Sequence, residues 1–219
     1  MCASRITSGV LAGLMTMAVS ASALAGQQSA AHRHMGHVAD GFSNTPEGMG
    51  LLPTAMAEAA VAQQHAELAL RNTDELGPMQ RHAGHVLHAL DPSRIEQGPG
   101  AGYGVVRATA GVIQHIEMAA ADESASENVG THAAHVAGAA RGASQRAERA
   151  AMLAEQIMAA TSVEGAAQHL TELHEVLGEL VRGVDANGDG RMGWQQEEGG
   201  LAQAEQHMNL MKRGEGMGG

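Results

Sequence analysis

The stretch "HAGHVLHAL", His82 to Leu90, returns fifty residues later as "HAAHVAGAA", His132 to Ala140. A histidine costs helix propensity relative to alanine, so a repeat that keeps its histidines in register asks for a chemical reason. Laying 64–89 on 114–139 without gaps pairs Gln64 with Gln114, His65 with His115, Glu67 with Glu117, His82 with His132, His85 with His135 and Val86 with Val136. Alanine matches are cheap in so alanine-rich a chain; three histidine matches are not. The repeat reads as two copies of a helix–turn–helix hairpin joined by a linker over 91–104. Two such hairpins make a four-helix bundle. The expected fold is therefore all-α: a four-helix bundle of two repeated hairpins, followed by a C-terminal helix–loop–helix.

Composition agrees with helices. The apolar content is largely alanine and methionine, and only Phe42, Tyr103 and Trp194 are aromatic. A core so small-sided cannot fill a sheet sandwich, and no apolar run alternates with the period of a strand. The formal charge is −11 with neutral histidine. That field attracts cations, repels nucleic acid and leaves no basic patch.

The first 25 residues have the form of a secretory signal peptide. Arg5 precedes an apolar run, Val10 to Val19, and Ala23-Leu24-Ala25 is a small-x-small cleavage site. The segment is too short to be a transmembrane anchor, so no membrane insertion of the mature form is expected. The only cysteine, Cys2, lies inside it. The mature chain then has no thiol, which excludes disulfides and thiolate metal sites. A periplasmic or secreted location follows as the expectation.

Residues 26–50 show no apolar period and read as a flexible, His- and Met-containing segment. Helical segments are expected near 52–72, 78–90, 104–122, 128–160 and 163–183, which places the bundle at 51–183. An EF-hand-like loop and a last helix occupy 184–212, and 213–219 form a glycine-rich tail.

Within one hairpin, His65 lies about a turn and a half before the break, roughly 8–11 Å along the axis, and His82 lies roughly 6 Å back along the returning helix. His85 shares the face of His82. If the second hairpin packs by a pseudo-twofold, His65, His82, His85, His115, His132 and His135 converge on one level of the bundle. Glu67 and Glu117 point about 200° away from His65 and His115 on their helices. Imidazole suits copper, nickel and zinc, and a thiol-free oxidising compartment puts copper first. A b-type haem held by two of the same histidines is the rival reading. A carboxylate di-iron centre would need repeated Glu-x-x-His, which is missing. A lone histidine on an alanine-rich helix is most often a surface or satisfied residue; recurrence in register is what argues for ligands here. His88 breaks the repeat, since Gly138 is its counterpart. Auxiliary metal ligands are expected at His169 and in the tract "HRHMGH", at His32, His34 and His37. His207, beside Met208 and Met211, is set aside because methionine is an ordinary packing residue.

The patterns "QQHAELAL … HAGHVLHAL" and "QHIEMAA … HAAHVAGAA" resemble the small His-rich periplasmic metal-binding proteins. The resemblance covers about residues 55–140. It implies a helical bundle that sequesters copper and other divalent ions through His65, His82, His85, His115, His132 and His135. This chain departs from that pattern by fewer histidines per helix, a long linker and an added C-terminal third. One or two defined sites are expected rather than high-capacity storage.

A second motif stands at "DANGDGRMGWQQEE". Asp185, Asn187, Asp189 and Gly190 match positions 1, 3, 5 and 6 of an EF-hand calcium loop, with the carbonyl of Arg191 at position 7. Gln196 stands where a bidentate glutamate is required, and Glu197 or Glu198 would have to reach in by a shifted exit. Weak calcium binding with a structural role is expected; the bland alternative is a turn kept for its Asx and glycine geometry. No nucleophile–base pattern or phosphate loop points to an enzyme. The function expected is divalent transition-metal binding for sequestration or delivery, with a calcium-stabilised structural module as a further alternative. Metal ions are the expected partners, a metal-transport partner is left open by the sequence, and so thin a core is compatible with a homodimer.

Overall fold

The structure, a computed structural model, describes Met1, residues 29–195 and residues 198–217. The expected leader (Met1 apart), and Gln196 and Glu197, lie outside the described residues. Among the described residues there are seven α-helices and no strand. They are α1 (Ala30–Ala39), α2 (Leu51–Leu70), α3 (Leu76–Leu90), α4 (Val105–Ala121), α5 (Glu127–Ala159), α6 (Val163–Arg182) and α7 (Leu201–Gly214).

Helix α1 differs from the sequence expectation, which has an irregular segment there. Its apolar stripe is only three residues long, Ala31, Met35 and Val38, but these fall one per turn and are fully buried. The Ser29 hydroxyl caps it by accepting from the His32 amide at 3.1 Å.

Helix α5, 33 residues long, is the spine and packs on α3, α4, α6 and α7. It runs through Gly138 and Gly142 as one helix. Its buried face is mostly alanine: Ala133, Ala137, Ala140, Ala143, Ala147, Ala150, Ala151 and Ala154. Short side chains let neighbouring axes come close, which offsets their small individual burial. Helix α2 lies against α1, α3, α4 and α6. A single hydrophobic cluster draws on all seven helices, so α1, α6 and α7 belong to the same core as the two hairpins.

The 91–104 linker is tied down. Glu58 of α2 is 1% exposed, and its carboxylate accepts the amides of Tyr103 (2.9 Å), Gly104 (3.2 Å) and Ala101 (3.3 Å). His88, also buried, meets the carbonyl of Pro99 through Nδ1 at 2.9 Å. It is a satisfied core histidine and accounts for its own departure from the repeat.

Candidate metal centres

Nine histidines gather into three groups of three: His34, His37 and His115; His65, His82 and His85; His132, His135 and His207. Each group takes an i, i+3 pair from one helix and a single histidine from another. The seams are α1–α4, α3–α2 and α5–α7.

The atoms that meet are the same each time. Nδ1 of His115 lies 2.9 Å from Nδ1 of His34 and 3.4 Å from that of His37. Nδ1 of His65 lies 3.1 Å from Nδ1 of His82 and 3.2 Å from that of His85. Nδ1 of His207 lies 3.3 Å from Nδ1 of both His132 and His135. An imidazole nitrogen has one in-plane position, filled by a proton or by a lone pair. It cannot make two good hydrogen bonds there at once, yet the single histidine of each group faces two partners through that atom. One cation in the middle would satisfy all three lone pairs, with the ring protons on Nε2. Ligands about 2.0–2.1 Å from an ion stand roughly 3.3 Å apart in a tetrahedron and roughly 2.9 Å apart at right angles. The observed separations span those values.

Local sequence places each ring at the edge of a helix seam. The residue after every one of the nine histidines is apolar or small, and for the ligand-pair starts it is buried: Met35, Ala83 and Ala133. Val38, Val86 and Val136 follow the second histidine of each pair, and Ala66, Ile116 and Met208 follow the single ones; all six are buried as well. A residue one step before a core position lies about 100° around the helix from it. The imidazoles are accordingly half-buried, neither lost in the core nor free in solvent.

Electrostatics favours the neutral, metal-ready form. Burial lowers the pKa of His37, His65, His82, His85, His115 and His135 below the usual 6.5, and neighbouring histidines or arginines lower it further. His207 is the most affected: burial, then His135 and His132, bring it down to about 4.

The six histidines expected at one level are therefore divided among three centres. Only His65, His82 and His85 meet as one hairpin. His115 turns away from His132 and His135: the buried face of α4, Ala108, Val112, Ile116 and Ala119, sets its rotation, and Glu117, about 200° around α4 from His115, lies on the α5 side, where it pairs with Arg141. With Glu117 facing α5, His115 faces α1. His34 and His37 join His115 in a group of the same make as the other two. His32 instead pairs with Glu215 at 2.9 Å, and His169 on α6 belongs to none of the three groups.

Sequence reading missed His207 and undervalued His34 and His37, although a signal was present. His-x-x-His-Val occurs three times, at 34–38, 82–86 and 132–136, and Gln-His opens each single-histidine site at 64–65, 114–115 and 206–207. Gln168-His169 is a further Gln-His without a His-x-x-His partner. On the facing helix α5, Arg149 pairs with Glu172 at 2.6 Å.

The 185–198 loop closes on its own backbone. Asp185 accepts the amides of Gly188 (2.8 Å), Asp189 (3.1 Å) and Gly190 (2.8 Å). Asn187 accepts from the Asp189 amide at 2.8 Å, and Asp189 from the Arg191 amide at 2.9 Å. Glu198, 3% exposed, accepts the amides of Asn187 (3.3 Å) and Gly193 (2.9 Å). Glu198 is thus the carboxylate turned into the loop, two positions beyond Gln196.

Among the described residues no helix is long and apolar enough to cross a membrane. Comparison with protein-family models, curated proteins and solved structures returned no match.

Proposed function

We propose that this is an exported binding protein that holds a divalent transition metal, copper first, for sequestration or delivery, with one ion at each of three histidine centres. The observation that carries the reading is that, three times over, one Nδ1 atom stands 2.9–3.4 Å from two others, with the ligand atoms of each group all within 4.8 Å of one another. All-nitrogen donors place Cu(II) at the top of the affinity order for first-row divalent ions. The acidic surface raises the local concentration of cations. A bare ion is favoured over haem because two imidazoles holding a haem iron would need nitrogens about 4 Å apart at bond lengths near 2.0 Å, whereas the shared nitrogen of each group stands 2.9–3.4 Å from its partners. The role is binding and transfer rather than catalysis.

Titration of the metal-free protein with Cu(II), followed by elemental analysis after desalting, tests this. The wild type takes up three equivalents. His65→Ala, His115→Ala and His207→Ala each lose one, since each removes the imidazole shared by two contacts. Full stoichiometry in the triple variant would sink the assignment.

Calcium in the 185–198 loop is a second reading, supported by the buried Glu198 carboxylate that closes it. Asp185, Asn187, Asp189, the Arg191 carbonyl and Glu198 would be its ligands, with affinity in the weak range of extracellular modules. Calorimetry with Ca²⁺ alone checks it: heat lost in Asp185→Ala supports the loop, and unchanged heat rejects it.

A further inference from the structure

The chain has three aromatic side chains, and two of them lie against histidine centres. The Trp194 indole stacks on His135, with centroids 4.2 Å apart and planes 26° apart. The Phe42 ring lies 5.0 Å from that of His115 and 5.1 Å from that of His37. Tyr103 is occupied elsewhere, under the guanidinium of Arg107 at 4.4 Å. The centre of His65, His82 and His85 therefore has only its own imidazoles for aromatic neighbours.

Both aromatic residues sit on pinned backbone. The Phe42 amide donates to the carbonyls of Gly48 and Met49, each at 3.1 Å, and its own carbonyl accepts from the Thr45 hydroxyl at 2.6 Å. Gly193, next to Trp194, donates to buried Glu198 at 2.9 Å. The Trp194 carbonyl presses so close to α5 that a Cβ on Gly138 would lie 2.7 Å from it. Glycine at 138, where the first repeat has His88, is what admits the cap.

An imidazole's last torsion is soft and roughly two-fold, so a ring left alone can turn Nδ1 away from its ion. An aromatic ring packed against it hinders that turn, face to face for Trp194 on His135 and edge-on for Phe42 on His115. We propose that Trp194 and Phe42 are positioning residues that retain the ions at their two centres, and that the uncapped His65–His82–His85 centre is the port at which ions enter and leave. The inference rests on the metal-binding reading above. An acceptor there meets an ion that no aromatic ring covers, and its own nitrogen or sulfur ligand can attack before the imidazoles release.

The test is stopped-flow removal of Cu(II) from the fully loaded chain by excess EDTA, followed at the visible copper band. One third of the amplitude leaves at least tenfold faster than the rest, and His65→Ala abolishes that fast third. Trp194→Ala moves one slow third into the fast phase and Trp194→Phe restores it; Phe42→Ala does the same for another third. In the wild type, Trp194 fluorescence is quenched by one of the three equivalents only. A single rate for all copper, or a fast third that survives in His65→Ala, overturns the port. Failure of the wild type to load three ions overturns the metal reading itself, and the port with it.

Discussion

At the scale of single residues, the histidines show how burial prepares a ligand. The unfolded chain takes up protons near 6.5, whereas in the folded chain His207 resists protonation down to about 4, and His65, His115 and His135 are lowered in the same direction. Between those values the unfolded state binds more protons. Metal-free stability is therefore fully present above pH 6.5 and falls as the pH drops toward 4. Urea midpoints at pH 7.5, 5.5 and 4.5 should decrease in that order; a rise on acidification would contradict the neutral centres. Gly138 offers a second check. A methyl there meets the Trp194 carbonyl at 2.7 Å and its ring at 3.2 Å. Gly138→Ala should cost about 1–3 kcal/mol through overpacking and shift Trp194 emission to the red, read by denaturation and fluorescence.

At the scale of elements, two of the three centres fasten helices at the ends of the described fold. The pair His34 and His37 joins α1 to α4, and His207 joins α7 to α5. Helix α1 is ten residues long, too short to hold helical structure alone in water, so its order depends on what it packs against. Copper should slow hydrogen exchange along α1, and His115→Ala should cancel that protection while leaving the protection around His65 unchanged. Equal protection of α1 in the variant would show that the ion does not bridge the two helices. Ionic contacts assist at the same end: His32 with Glu215, and Lys212 with Asp40. Both pairs are partly exposed, and such pairs contribute little singly.

At the scale of the whole molecule, the proposed binding of one ion at each of three seams would make metal content a stability variable. A ligand that binds only the folded state at a hundredfold excess over its Kd adds about 2.7 kcal/mol per site. Copper loading should therefore raise Tm in steps, and chelation should reverse them. The three single-histidine variants should each lose one step, additively, if the centres are independent. A single all-or-none shift, lost in any one variant, would instead show the centres to be coupled through the shared alanine core.

The all-α class, the helices from α2 onward and the histidine-rich faces were legible in the sequence, because each rests on local facts; α1 was not. Apolar spacing of three and four sets a helix, Ser162 stands where a capping residue is wanted and caps α6, and paired histidines at i, i+3 share a face wherever the helix ends up. The grouping of the ligands was not legible. Two hairpins aligned without a gap suggested one site of six, but a helix can turn any face toward any neighbour. The buried face of α4 and its packing on α1 turned His115 to a different partner from that of His65. His207 lies 72 residues from His135 along the chain, a distance that no local period spans. The residue types were fixed by the chain itself; which three meet was decided by helix rotation and by which helices lie side by side.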